Sequence, residues 1–480
     1  MSTVAQPAPV AGSQGVHPVD EVLPAPKLAI YGLQHVLAFY AGAVIVPILL
    51  ASAIGLDTET LIHLINADLL TCGIASIIQS VGFWKVGVKL PLLQGVTFTA
   101  VSPMIAIGLS QGGGRESLPY IYGSVIVAGL TTFFIAPYFA KMIRFFPPVV
   151  TGSVITIIGV ALLPVAANDA IMAAPDPNRN FVQIGVPADQ IAVRSILYAV
   201  GTLFFIVFLQ RFFRGFLGTI AVLLGLVGGT LVAWALGDAH FDSVGSASWV
   251  GVTTPFYFGI PKFAFAAVVS MIVVMLITAV ETTGDVFATG EIVDKEIGSE
   301  DIARALRADG LATTLGGVLN SFPYTCFAEN VGLVRLTRVK SRWVVASAGA
   351  IMIILGLLPK AGAIVAGIPH HVLGGAALAM FATVAVVGIQ TLTRVDFKDD
   401  RNIVIVATSL ALALLVTVQP NIAKVVPSWA EIIFGSGITL GSLCAILLNL
   451  VFHHTGGRQH TSEEAIADAT ERSRESAIGD

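Results

Sequence analysis

The chain has 480 residues, of which 55% are hydrophobic and only 12% are charged, and its mean hydropathy is +0.85. Soluble domains carry about 25% charged residues, so this composition excludes an assembly of soluble domains and indicates a protein that crosses a membrane many times. The net charge of −4, without basic clusters, excludes nucleic acid as a partner. The three cysteines have neither paired nor metal-ligand spacing, so no metal and no cofactor are predicted.

Apolar segments make up most of the chain. Most of them reach the ~20 residues that a helix needs to cross the hydrocarbon, whereas the third and the tenth are short and are interrupted by Gly, Pro or polar residues. The stretches 1–26 and 455–480 are expected to be mobile tails. We count about fourteen segments, at 27–51, 61–84, 91–108, 119–137, 146–165, 191–209, 215–236, 262–281, 303–319, 324–336, 341–358, 372–390, 402–418 and 427–452.

Loop charges and segment spacing predict an inverted repeat. Lys and Arg are concentrated in alternate loops, so the positive-inside rule places both termini of an even-numbered set of spans in the cytoplasm. The segments divide into seven and seven, with the second half beginning near Lys262 and the first near Lys27. Because seven is odd, the two halves have opposite orientations. Paired interrupted segments at matching places in such repeats are typical of the midplane site of a secondary transporter.

The tenth segment lies within residues 320–342, NSFPYTCFAENVGLVRLTRVKSR. It places Glu329 and Asn330 side by side where the hydropathy pattern requires membrane. Such groups are costly in hydrocarbon unless they face a cavity or a ligand. We therefore predict a broken helix that lines a cavity, and the alternative is a loop between two helices.

The eighth segment leads into a second acidic cluster, TAVETTGDVFATGEI. Glu281 and Asp285 are four residues apart, so a continuing helix puts both on one face. Like charges repel and burial disfavours ionised groups, so at least one carboxyl is expected to be protonated part of the time, as a proton-coupled carrier needs. In the alternative, the helix ends near Thr283 and Asp285 lies in water.

Three further polar residues lie in apolar segments. His35 is interpreted as a hydrogen-bond anchor between helices rather than a substrate contact. Asp309 follows Arg304 and Arg307 at the start of segment nine, where it is either an N-cap or interfacial salt-bridge partner, or part of a site. Asp68 is expected nearer the outer end of segment two and is assigned no role.

Segment three, PLLQGVTFTAVSP, combines hydrogen-bonding groups with an aromatic ring. Gln94, Thr97 and Thr99 supply polar atoms, and Phe98 supplies a flat face. A planar heterocycle suits such a place, stacked on the ring with its polar edge bound by amides and carboxylates. The alternative is that Phe98 packs against lipid or core.

These motifs together resemble the nucleobase–ascorbate transporter family, specifically the bacterial xanthine, urate and uracil permeases. The family signature is Gln, Glu or Pro, then Asn-x-Gly and, after four further residues, Thr; it is matched by ENVG at 329–332 and by Thr337. Other stretches resemble family blocks in the same order over about residues 27–452: LQHVLAFYAG at 33–42, VETTGD around Glu281, ADG around Asp309 and VKSRWV at 339–344.

The resemblance implies an all-α fold of about fourteen spans in inverted repeats of seven, with a core domain and a gate domain. Short antiparallel strands in segments three and ten would meet at the midplane, each followed by a half-helix whose N-terminus faces the site. The implied parts are a disordered tail at 1–26, a core domain at 27–137 and 262–358, a gate domain at 138–261 and 359–454, and a polar tail at 455–480.

The resemblance also implies the site residues. In the family, the positions matching Glu281 and Glu329 hydrogen-bond the base. Asp285 stands where xanthine carriers have Asp and uracil carriers have His, which favours a purine. Glu329 stands where many xanthine and urate carriers have Gln and uracil carriers have Glu, and Arg338 stands where purine permeases often carry Gly. The expected substrate-binding residues are Phe98, Glu281, Glu329, Thr97, Ala328 and Asn330, and the expected coupling or supporting residues are Glu281, Asp285, Asp309 and His35.

The implied function is uptake of a purine nucleobase, xanthine or urate, with a proton across the bacterial cytoplasmic membrane. Sodium stays open as the coupling ion, and a uracil:proton symporter is the alternative. An anion carrier of the same architecture is less favoured, because Glu281 and Glu329 suit an anion badly. A channel is also less favoured, and no nucleophile with its base indicates an enzyme. The gate's apolar faces suit a homodimer, as in the family, but would equally suit lipid.

Overall fold

A computed structural model describes residues 16–142, 146–171 and 191–454, and these residues are mostly helical. Two short strands are present in this part of the chain, β1 (Gln94–Val96) and β2 (Tyr324–Cys326). The helices are α1 (Ala25–Ile54), α2 (Thr58–Val81), α3 (Val101–Ser110), α4 (Leu118–Met142), α5 (Pro148–Ile171), α6 (Val193–Phe212), α7 (Phe216–Thr219), α8 (Ala221–Ala235), α9 (Asp242–Ser246), α10 (Phe265–Val293), α11 (Ser299–Val318), α12 (Ala328–Thr337), α13 (Arg342–Gly356), α14 (Pro359–Ala366), α15 (His370–Leu392), α16 (Asp400–Val418), α17 (Ser428–Phe434) and α18 (Gly437–His454).

Many of these helices have the length and composition of membrane spans, as the composition predicts. Nine of the described helices are long and apolar enough to cross a membrane, and a tenth span results if α13 and α14, bent by 81°, are counted as one. Each predicted segment coincides with one or two helices or with a strand that leads into a helix. The count of fourteen spans stays a prediction, because α3 and α12 have only 10 residues each, fewer than a crossing needs.

The two strands join the interrupted segments in the interior. They pair antiparallel, with Gln94 opposite Cys326 and Val96 opposite Tyr324. All their residues are buried, with α1 and α2 packed against β1 and α10 and α11 packed against β2. The expected antiparallel strands in segments three and ten are therefore confirmed. Each strand is soon followed by a short helix, α3 or α12.

Two helix pairs around the strands approach each other closely through glycine. A Cβ on Gly73 of α2 would lie 2.4 Å from the Gly349 oxygen of α13, and a Cβ on Gly310 of α11 would lie 2.7 Å from the Gly129 oxygen of α4. Both distances are too short for any side chain. Small residues of this kind let helix backbones pack tightly where lipid removes the hydrophobic drive for association.

The N-terminal segment is ordered further than expected. Val19 is 1% exposed, and its carbonyl accepts a hydrogen bond from the Arg342 N–H at 2.9 Å. Asp20 forms an ion pair with the Arg342 guanidinium at 2.7 Å, and the Glu21 carbonyl accepts from Ser341 Oγ at 2.6 Å. The prediction of a disordered tail at 1–26 is thus too broad, because residues 19–21 contact the turn between α12 and α13. Residues 1–15 and the predicted tail at 455–480 lie outside the described residues.

Arg338 ends α12 in a conformation that favours glycine, and this predicts a stabilising substitution. Its φ is +57°, in the left-handed region. That region costs a residue with a Cβ about 1–2 kcal/mol, and glycine loses about 0.5–1 kcal/mol more conformational entropy on folding. We therefore expect Arg338→Gly to raise the free energy of unfolding by about 0.5–1 kcal/mol, measured as a higher midpoint of thermal unfolding in detergent.

Arg335→Gly is the matched control, because Arg335 is an exposed residue inside the same helix. Glycine there is expected to lower stability by about 1 kcal/mol. A lower midpoint for Arg338→Gly as well would show that the Arg338 side chain makes contacts that outweigh its backbone strain.

Candidate functional site

A cavity of about 640 Å³ lies beside the two strands. Its walls come from β1, β2, α10 and α12 on one side and from α5 and α15 on the other. Five of the predicted site residues line it, namely Phe98, Glu281, Asp285, Ala328 and Glu329. The volume is ample for one small heterocycle.

Glu281 enters the cavity from the middle of α10. Thr97 and Thr99 approach one of its carboxylate oxygens, Oε2, with hydroxyl distances of 3.5 Å and 3.3 Å. Both threonines are fully buried in the turn that follows β1. Thr97 is not among the residues that border the cavity. The first interrupted segment therefore orients this carboxylate through one of its two oxygens.

Asp285 lies one turn further along the same helix. Because α10 continues to Val293, the alternative in which the helix ends near Thr283 is wrong, and Glu281 and Asp285 share one helix face as predicted. Both carboxylates border the cavity and both are partly buried. The cavity thus carries two acidic groups on one wall.

Glu329 is the second residue of α12 and is exposed to the cavity. The first turn of a helix presents unpaired N–H groups and a partial positive charge, both of which stabilise a carboxylate. Residues 320–342 therefore form a strand and a short helix that line a cavity, as predicted, and the alternative of a plain loop is wrong.

Phe98 and Phe327, two rings of one aromatic cluster, border the cavity. Phe98 is 9% exposed, and its ring meets Phe327 and Phe381 edge-on, with centroids 5.8 Å and 5.5 Å apart. Phe39 packs behind Phe327 at 4.8 Å. Phe98 is therefore held by neighbouring rings while it still borders the cavity.

Asn330 and His35 connect α12 to α1 away from the cavity. The Asn330 amide donates to the His35 carbonyl at 3.0 Å and lies 3.0 Å from the His35 ring nitrogen Nδ1. Both side chains are buried, at 0% and 2% exposure, and neither borders the cavity. The structure supports the interpretation of His35 as an anchor between helices. Asn330, next to Glu329 in the chain, likewise joins two helices and does not border the cavity.

Asp309 lies in the interior of α11, so the alternatives of an N-cap or an interfacial ion pair are wrong. It accepts hydrogen bonds from the Gln94 amide at 2.7 Å and from the Thr282 hydroxyl at 2.5 Å. Arg304 and Arg307 instead approach Glu300. Asp309 is fully buried and holds β1 from behind rather than facing the cavity.

Three residues at or near the cavity were not singled out from the sequence. Asp68 is buried near the middle of α2, and it accepts hydrogen bonds from Ser321 and Tyr324 beside β2. Thr282 binds Asp309, and Arg394 borders the cavity. The available signal for Asp68 was its position in the segment, since it lies as far into α2 as Asp309 lies into α11. Among the described residues no group of His, Cys, Asp or Glu could hold a metal ion.

A membrane protein with a carboxylate-lined cavity at two broken segments has the architecture of a transporter. The permease family model Xan_ur_permease matches residues 26–422, so the chain belongs to this family. The xanthine permease of Bacillus subtilis (strain 168) is 42% identical over 434 residues, covering 90% of this chain and 95% of the relative. The uric acid permease PucK of the same organism is 43% identical over 429 residues, covering 89% and 95%. The protein is a transporter and not an enzyme.

A solved structure shares the fold. The transmembrane domain of the cyanobacterium bicarbonate transporter BicA matches with a TM-score of 0.57 and 14% identity, covering 87% of this chain and 97% of that one. At this identity the likeness concerns the fold alone.

Proposed function

We propose that the protein is a secondary active transporter that takes up xanthine or urate together with a proton. The observation that carries this proposal is the pair Glu281 and Glu329 facing one cavity beside Phe98. Carboxylates accept the N–H groups that oxidised purines present along their edge, and the ring offers a stacking face. The names of the similar xanthine and uric acid permeases support the same substrate class. Uracil is the second candidate, because Glu329 resembles the residue of uracil carriers.

The proposed ligand lies between residues of both broken segments. Glu281 would bind the ligand with its second carboxylate oxygen, to which Thr97 and Thr99 do not donate. Glu329 would bind the ligand from the first turn of α12. Ala328 borders the cavity next to Glu329 and offers no bulk to obstruct the base. Asn330 would act indirectly, by holding α12 against His35.

Proton coupling is assigned to Glu281, with Asp285 and Asp309 in support. Glu281 is the acidic residue that both borders the cavity and is bonded to the first broken segment. A carboxyl that binds the ligand only in one protonation state links the proton to the substrate. Asp285 lies one turn away in the direction of Phe287 and Ala288, which also border the cavity. Sodium is the alternative coupling ion.

The packing supports a seven-plus-seven inverted repeat. In the proposed repeat, α1, α2 and α4 correspond to α10, α11 and α13. The contact of α2 with α13 then corresponds to that of α11 with α4. The contact of α1 with α13 likewise corresponds to that of α10 with α4. Each contact maps onto its counterpart when the first seven segments are exchanged for the second seven. The glycine contacts follow the same exchange, from Gly73 with Gly349 to Gly310 with Gly129. The count reaches fourteen if β1 with α3, and β2 with α12, each cross the membrane together as one span.

We assign residues 27–137 and 262–358 to a core domain and 138–261 and 359–454 to a gate domain. The cavity lies between them, because α10 and α12 would belong to the core and α5 and α15 to the gate. At the far end, Ser52 of α1 bonds Asp169 of α5 at 3.3 Å, and Ser102 of α3 bonds Ser436 at 3.3 Å. These contacts would close the outer side.

The proposed conformation is inward-facing, with the cavity open to the cytoplasm. The cavity extends towards Arg394 and Pro148, at ends of α15 and α5 that the distribution of Lys and Arg assigns to the cytoplasm. The protein would lie in the cytoplasmic membrane with both termini inside. The exposed apolar side chains of the gate, such as Phe204, Phe208 and Trp234, suit a homodimer contact.

Uptake in bacteria that lack their own carriers tests this function. Labelled xanthine, urate and uracil are supplied with and without a protonophore, and sodium is replaced by choline in a parallel series. We expect concentrative uptake of xanthine or urate that the protonophore abolishes and choline leaves unchanged. Uptake of uracil alone would favour the second candidate. Uptake of none of the three, by a protein shown to be in the membrane, would contradict the proposal.

A further inference from the structure

A second buried carboxylate, Asp68, holds the second strand. It lies in α2 with 1% exposure and accepts hydrogen bonds from the hydroxyls of Tyr324 at 2.9 Å and Ser321 at 3.0 Å. The Cys72 thiol approaches it at 3.5 Å. No ion-pair partner of Asp68 is found in the described part of the chain. A carboxyl group without a cation is costly to bury unless several donors satisfy it.

Asp68 is the counterpart of Asp309 in the other half of the chain. Asp68 lies ten residues after Thr58, the first residue of α2, and Asp309 lies ten residues after Ser299, the first residue of α11. Asp309 binds the first residue of β1, Gln94, and Asp68 binds the first residue of β2, Tyr324. Each half of the chain therefore contributes a carboxyl group that holds the strand of the other half.

The position of Tyr324 is fixed at two points. Its hydroxyl is bonded to Asp68, and its backbone N–H donates to the Thr313 hydroxyl at 3.0 Å. The chain from Tyr324 to Glu329 includes only β2 and the first residues of α12, so little flexible backbone separates the anchor from the cavity.

We propose that Asp68 is a positioning residue for the ligand. It acts through Tyr324 and β2 on the start of α12, where Ala328 and Glu329 border the cavity. The proposal rests on the proposed function for the identity of the ligand, but the anchoring of β2 is independent of it. Asp68 itself does not border the cavity.

Three variants test the inference in purified protein. Asp68→Leu removes both acceptor oxygens, Asp68→Asn keeps one, and Tyr324→Phe removes the hydroxyl donor. The control is Thr71→Ala, because Thr71 is equally buried in α2 and its hydroxyl bonds the Ala67 carbonyl of the same helix. The first readout is hydrogen–deuterium exchange of peptides that cover residues 321–333, measured without ligand. The second is the Kd for xanthine, urate and uracil.

We expect Asp68→Leu and Tyr324→Phe to speed exchange in this peptide and to weaken ligand binding about tenfold, with smaller changes in Asp68→Asn. The double variant Asp68→Leu/Tyr324→Phe should weaken binding no more than Asp68→Leu alone, because the Tyr324 hydroxyl has already lost its carboxylate partner in that variant. Thr71→Ala should leave exchange and Kd as in the parent. Should Asp68→Leu fail to fold, Tyr324→Phe and Ser321→Ala carry the same test.

Two results would overturn the inference. Unchanged exchange at 321–333 in the Asp68 and Tyr324 variants would show that Asp68 does not anchor β2. Faster exchange with a parental Kd would show that the anchor does not position the ligand. If the parent binds none of the three bases, the proposed function fails, and the exchange data still decide whether Asp68 holds the strand.

Discussion

Glu281→Gln is expected to abolish concentrative uptake while leaving the protein folded in the membrane. The amide keeps an oxygen that Thr97 and Thr99 can bond, so the shape of the site is retained. It cannot exchange a proton, so in the proposed mechanism the substrate would no longer move with one. The accumulation ratio of labelled xanthine or urate should fall to that of cells treated with a protonophore. Exchange of internal for external substrate should persist, because it needs no net proton movement.

Glu291→Gln is the matched control for this change. Glu291 lies on the same helix, α10, but is exposed near its end. The same chemical change there should leave the accumulation ratio at the parental value. A parental ratio in Glu281→Gln would exclude Glu281 from coupling, whereas loss of exchange together with accumulation would show that its main role is to bind substrate.

Glu329 is expected to decide the ranking of substrates. Ala in its place removes the acceptor and should abolish transport. Gln keeps one oxygen but places an NH₂ group where the second oxygen was. A ligand with two adjacent N–H groups then loses an acceptor and faces a donor, at a cost of about 1–3 kcal/mol. A ligand with N–H beside C=O can pair with the amide and loses little, so the order among xanthine, urate and uracil should change.

The Kd values of the three bases for the parent, Glu329→Gln and Glu329→Ala measure this effect. Leu336→Ala is the control, because Leu336 is an exposed residue of the same helix that does not border the cavity, and this variant should bind all three as the parent does. If the Gln and Ala variants also match the parent for every base, Glu329 does not contact the substrate, in spite of its place at the cavity.

The sequence predicted the broken segments and the acidic residues because hydrocarbon penalises such groups strongly. Glu281, Asp285 and Glu329 stand out against apolar neighbours, and all three border the cavity. The helix after Leu358 was not predicted. Its eight residues are too few to be distinguished by hydropathy, although Pro359 at its first position is a favourable helix start.

The hydrogen-bond partners of the site could not be predicted in the same way. Asp309 is bonded to Gln94, which is 215 residues away, and Asp68 is bonded to Tyr324, which is 256 residues away. Nothing local distinguishes these carboxyl groups from caps or interfacial charges. The hydrogen bonds in the folded chain show that Asp309 binds β1 and Asp68 binds β2.

The pairing of β1 with β2 also determines how late in synthesis this part of the protein can fold. Gln94 and Cys326 are 232 residues apart, so at ~5–20 residues per second a ribosome needs about 10–50 s between them. During that interval the first strand has no partner, and its backbone N–H and C=O groups must be satisfied by the first-half helices or by water. The candidate site therefore forms only after most of the chain has been inserted. Substitutions in the strands should then reduce the yield of inserted protein as well as the activity of each molecule.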